Sequence, residues 1–287
     1  MRRRILWLVI GIPVALIVLG AGAALSIPVT RHLISGLWNL PDRLPALASD
    51  PQVHYEPCAE ELARDVAALL PNAIARVEAA HGRRFAHPVT VGAYATMEAY
   101  TAANGIGSTV PVGVTFAGQV NLSSKLSWPQ HRRLPAILSQ ELWHAHIQGW
   151  IGGNGYVRLP NWFKEGLAVM VSGAGGAELV SEAEARAAIL RGEQITIEDE
   201  GSLRKLSELR FDRQPAKTDP SWYPVVLAYR EAGIFVSYLR ENDPPAFDRM
   251  MNAILDGHAF AEAVGAGYHE DVRSLWQKFV QSNTERK

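Results

Sequence analysis

The sequence predicts an α+β chain: a few short strands with associated helices, then a helical C-terminal lobe, carried on an N-terminal membrane segment. Three observations predict it. Short strand-like stretches are confined to the part before residue 125, helical periodicities fill the rest, and a long apolar run follows three arginines at the N-terminus. The 287 residues are 48% hydrophobic and carry a net charge of −1, so a folded body is expected and no nucleic-acid partner. The lone Cys58 excludes an intrachain disulfide framework and a thiolate zinc cluster.

Arg2, Arg3 and Arg4 precede an apolar run from Ile5 to Val29. At ~1.5 Å per residue this run is long enough for a ~30 Å hydrocarbon core. Residues 1–29 are therefore expected to be a signal anchor. By the positive-inside rule the arginines stay cytoplasmic and everything after Arg31 lies outside, a single-pass membrane topology with an extracytoplasmic main domain. Ala21-Gly22-Ala23 offers the alternative, secretion after cleavage, although the run exceeds the usual ~7–15 residues of a signal-peptide core.

Residues 30–52 are expected to be a tether, and residues 53–180 the first lobe. There "VHYEP" predicts a strand, "CAEELARDVAALLPNAIARVEAAHG" a helix stopped by Gly82, "HPVTVGAY" a strand and "TMEAYTAANG" a short helix. "GVTFAGQVNLS" is a further β signal, with Gly118 as a bulge or close-approach point. "LPAILSQELWHAHIQGW" predicts a helix, "IGGNGYVRL" a glycine-rich loop, and Asn161 to Ser172 a helix ending at Gly173. Residues 181–287 form the helical lobe: Ser181 and Glu184 have capping-box spacing, and "YPVVLAYREAGIFVSYLREN" and "FDRMMNAILDG" carry broad apolar faces.

The chemistry centres on Gln140-Glu141-Leu142-Trp143-His144. On a helix, positions four apart differ by about 40° in direction and ~6 Å in rise, so residues 140 and 144 share a face and can grip one ion. Glu141, about 100° around, is offset as a base acting on metal-bound water would be. A zinc hydrolase needs a third protein ligand. Glu165 in "LPNWFKEGLAVMVSG" supplies one, in a semi-buried stripe with Trp162, Ala168 and Val169 where an unpaired carboxylate is costly.

"QELWH", "NWFKEGLA" and "YREAGIFVSYL", in this order, resemble the gluzincin metallopeptidases, the aminopeptidase-like and peptidase MA-like groups, over about Val53 to Phe279. The resemblance implies a zincin-like first lobe with Glu141 as general base, His144 and Glu165 as Zn2+ ligands, and Tyr229 as the hydroxyl stabilising an oxyanion. It also implies that the strand near Gly113–Ser123 holds a peptide or protein substrate by main-chain pairing. The implied reaction is amide hydrolysis by metal-activated water.

Gln140 stands where that family has its first histidine. A carboxamide oxygen is a harder, weaker ligand than imidazole. Three outcomes follow: ligation through the Gln140 oxygen, substitution by another histidine, or an empty site. His146 lies about 200° around the helix from His144 and is expected to face away. The bland alternative for His144 is a core histidine bonded to Glu165 or Glu141. Tyr229 and nearby Tyr223 are equally readable as core aromatics, Lys164, Asn161 and Gln148 as surface or capping residues, and His131 and His258 as loop positions. Against the enzyme stands a second reading, an inactive pseudopeptidase that binds a peptide or protein without cutting it. A third is a structural envelope protein.

Overall fold

The computed structural model of the chain describes residues 27–127, 130–201, 209–212, 215 and 222–285. Helix α1 (Pro28–Trp38) and a 3-10 turn (Pro41–Arg43) lead into strands β1 (Ala46–Leu47) and β2 (Asp50–Tyr55). Then come α2 (Glu60–His81), β3 (Val91–Ala93), α3 (Met97–Ala103) and the hairpin β4 (Gly113–Phe116) and β5 (Gln119–Leu122). Helices α4 (Leu134–Arg158), α5 (Asn161–Ser172), α6 (Glu182–Leu190), α7 (Tyr223–Asn242), α8 (Pro244–Leu255), α9 (Phe260–Tyr268) and α10 (Val272–Glu285) complete the described chain.

The sheet is open, in the order β1-β2-β3-β5-β4. The β2–β3 and β3–β5 pairs are parallel, whereas β1–β2 and β4–β5 are antiparallel. Ala117 (φ 50°) and Gly118 (φ 77°) turn the chain between β4 and β5. Two successive positive-φ residues make the tight turn that matches strand twist, so Gly118 is a turn residue rather than the bulge expected for it.

Helix α4 runs through the middle of the molecule. Every position from Ile137 to Ile147 is buried, because α2 packs on one side, β4 and β5 on another and α5 on a third. A helix enclosed all round has no solvent stripe. One core cluster extends from Leu47 to Phe279, across the lobe boundary expected near residue 180.

Residues 28–52 hold α1, the 3-10 turn, β1 and the first half of β2. One expectation is corrected here. The membrane anchor receives no support: among the described residues no helix is long and apolar enough to cross a membrane. Residues 1–26 of the expected span lie outside the described residues; Ile27 precedes α1, and Pro28 and Val29 begin it, a helix of only 11 residues. The single-pass topology, its sidedness and a membrane partner reached through an N-terminal spanning helix lose their structural basis with it. What stands is a mixed α+β body with an open sheet and a helical lobe.

Candidate functional site

The buried stretch of α4 presents Gln140, Glu141 and His144 to α5 and β4. Glu165 reaches them because α5 packs back against α4 after a break at Gly152, where φ is 68° and ψ is 171°. That region of backbone space is essentially restricted to glycine. The glycine-rich stretch is thus a sharp break followed by one more helical segment, Gly153–Arg158, not the loop expected there.

His144 Nε2 stands 3.6 Å from Glu165 Oε2. Its other nitrogen, Nδ1, hydrogen-bonds the hydroxyl of Tyr156 at 2.9 Å, and the Gln140 amide bonds the Glu165 carboxylate. Burial pushes the His144 imidazole down, but the Glu165 carboxylate and then Glu141 outweigh it and leave it above its ordinary value. Burial likewise pushes Glu165 up, and His144, Lys164 and Gln140 reverse this to hold it below the usual carboxylate range. Each thus favours the charged form of the other.

Glu141 is held differently. Thr115 on β4 places its Oγ1 2.7 Å from the Glu141 carbonyl and 2.9 Å from Oε2. The one hydroxyl proton serves both as a three-centre bond, and the Thr115 main-chain N–H donates to the same carboxylate. Burial, reinforced by Glu165, raises the Glu141 carboxyl.

The remaining residues fall into place around this network. Gly176 separates Gln140 from Tyr229: a Cβ there would stand 2.9 Å from Gln140 Oε1 and 3.1 Å from Tyr229 Cδ2. The Tyr229 phenol is raised well above its ordinary range by Glu165, by burial and by Glu141. Tyr223 is only partly buried, at the start of α7. His146 lies on the other side of α4, its ring stacked 5.1 Å from His81 and its Nε2 3.0 Å from the Arg83 carbonyl. His258 is exposed, 3.9 Å from Glu262, and His131 is exposed in a 3-10 turn.

Sequence reasoning placed Lys164 and Asn161 at the surface or a cap, yet both are buried. The Lys164 ammonium sits 4.6 Å from the centroid of the Tyr156 ring, and burial lowers it to about 8. Tyr156 and Thr115 were missed. Their sequence signal is faint, since one depends on the break at Gly152 and the other on strand register.

Strand β4 borders the network and ends the sheet. Phe116 pairs with Gln119 and Val114 with Asn121, and the Ser123 N–H donates to the Val112 carbonyl at 2.9 Å. In an antiparallel ladder closed by a two-residue turn, alternate residues bond the partner strand and those between face outward. The N–H and C=O of Gly113 and Thr115 therefore point away from β5, toward no other described strand; Gly113 is buried beside α4, and the Thr115 N–H donates to the Glu141 carboxylate.

The expected zinc chemistry is corrected here. Among the described residues no group of three or more His, Cys, Asp and Glu side chains could hold a metal ion. Glu141 is engaged by Thr115, His144 and Glu165 satisfy each other, Gln140 bonds Glu165 and His146 faces elsewhere. Zn2+ as cofactor and metallopeptidase activity fall with the ligand set.

No family model, no curated protein and no solved structure matches the chain. The gluzincin resemblance and the zincin-like assignment are corrected accordingly. The short motifs behind them have packing roles of their own. Trp162 is a core aromatic, its ring 5.2 Å from that of Phe235, and its indole N–H donates to the Glu198 carbonyl at 2.8 Å. Gly166 lets α5 approach α7, since a Cβ there would stand 2.6 Å from the Ala232 carbonyl oxygen.

Proposed function

We propose that the chain is a non-catalytic binding module that captures an extended segment of a peptide or protein on the free edge of β4. The observation that carries this reading is the side of β4 that no described strand pairs with, where the Thr115 N–H is held by the Glu141 carboxylate, an acceptor that an added strand would replace. An open strand edge is a template for adding a strand, with main-chain bonds giving affinity and side-chain contacts giving selectivity. The support for binding over cleavage is geometric: His144 and Glu165 are paired at 3.6 Å, and Glu141 is tied to Thr115 of the same strand.

The test is selection of binders from a pool of random heptapeptides, then N-methylation of the best binder at one residue at a time. Strand addition requires that methylation at alternate residues abolish binding and that the residues between tolerate it. The bound peptide is recovered intact by mass spectrometry. Methylation without any alternating effect, or cleavage that disappears in Glu141→Gln, contradicts the reading.

A further inference from the structure

We propose that the segment Gly153–Arg158, hinged at Gly152, is a latch that fixes both the His144 ring and the β4–β5 hairpin. Three contacts meet on it. The Tyr156 hydroxyl bonds His144 Nδ1 at 2.9 Å, the Lys164 ammonium lies over the Tyr156 ring, and the Gln148 side chain bonds the Tyr156 hydroxyl. The same Gln148 accepts the Gly118 N–H through Oε1 at 3.1 Å, which pins the turn of the hairpin to α4. One phenol thus joins a buried imidazole to the tip of the edge-strand hairpin.

The hinge is built for a change of direction. A Cβ at Gly152 or Gly153 would meet nothing within 4 Å, so packing does not demand glycine at 152; its backbone angles do. Asn154 and Gly153 are exposed, whereas Tyr156 is drawn inward by its hydroxyl and ring contacts. Release of Tyr156 removes a bond to His144 and a bond to Gln148 together. Gln148 then holds the Gly118 N–H without the support of Tyr156, and the β4 side of the hairpin keeps its Thr115–Glu141 tie while β5 keeps its pairing with β3. Resting on the binding reading above, closure of the latch presents β4 as a rigid edge and its release weakens capture.

Amide hydrogen exchange on the full chain tests this without any ligand. In Tyr156→Phe, exchange of the Gly118 N–H rises roughly tenfold, the effect of losing about one ordinary hydrogen bond, while amides of α8 and α9 keep their rates. Gly152→Ala, which leaves every contact residue in place but strains the hinge, accelerates the same amide. The His144 Nδ1 resonance moves in both variants. An unchanged Gly118 rate in both variants, or an equal acceleration throughout the chain, overturns the latch. If Gly118 responds while no peptide binds the wild-type chain, the latch stands and the binding reading fails.

Discussion

His144 Nε2 and Glu165 Oε2 stand 3.6 Å apart across 21 residues of chain, and this contact ties α4 to α5 at the centre of the molecule. It is longer than a hydrogen bond but within ion-pair range. Glu165 keeps 18% of its side chain exposed while His144 keeps 7%. Removing either partner leaves the other charge poorly solvated. His144→Gln and Glu165→Gln are each expected to destabilise the fold by ~2–4 kcal/mol, toward the lower side of the range for broken buried pairs because Glu165 is partly wet. The double variant costs less than the sum, a coupling that urea denaturation measures directly.

The same pair sets a pH window. His144 lies above its ordinary 6.5, so its contribution is complete below 6.5 and is lost as pH rises through the raised value. Glu165 lies below its ordinary 4.5, so its contribution is complete above 4.5 and is lost as pH falls through the lowered value. The stabilisation by the pair is therefore greatest between 4.5 and 6.5. The Tm difference between the wild type and the His144→Gln/Glu165→Gln variant is expected to be largest in that window and to shrink on both sides.

Glu231 on α7 gives a separate and one-sided effect. It is fully buried, accepts the Ile195 N–H through Oε2 at 3.0 Å, and has an Oε1 without a hydrogen-bond partner among the described residues. Burial pushes its carboxyl up to about 9 from an ordinary 4.5. The folded state then holds a proton that the unfolded chain releases, so stability falls as pH rises from 4.5 to 9. Glu231→Gln keeps the acceptor and the shape but has no proton to lose. Its Tm is expected to decline less than that of the wild type over this interval.

The α5–α7 contact that brings Glu165 and Tyr229 to one place depends on missing side chains. A Cβ at Gly166 would also stand 2.8 Å from Val236 Cγ2, and one at Gly233 would stand 2.5 Å from Val169 Cγ1. Gly166→Ala forces the helices apart and is expected to cost ~1–3 kcal/mol, as overpacked sites do. Denaturant titration reads the loss.

Local signals located several elements well. Gly82 (φ 63°) ends α2, the capping box of Ser181 and Glu184 opens α6, and α5 spans Asn161–Ser172. Each is written in residues that touch within a few positions. The convergence of residue 144 with residue 165 was also legible, because two helices joined through glycines can fold back on each other. What sequence reasoning attributed to that convergence was misjudged: the spacing of ligands was visible, but the contacts that use them up were not. Thr115 reaches Glu141 only through the register of β4, and Tyr156 reaches His144 only because Gly152 breaks α4 where a loop was expected. Lys164 was misplaced because a charge normally marks a solvent face, whereas here an aromatic ring covers it. The pairing of β2, β3 and β5 in parallel joins segments far apart in sequence, which no local pattern encodes.

The most direct measurement is the amide spectrum of the 15N-labelled chain, recorded while the best heptapeptide binder is added. Capture on β4 requires the Gly113 and Thr115 N–H signals to shift first and most, the latter as its bond to Glu141 is exchanged, with Val114 and Phe116, bonded to β5, moving less. Shifts that spare Gly113 and Thr115, or a peptide that is cut in the tube, would contradict the binding-module account.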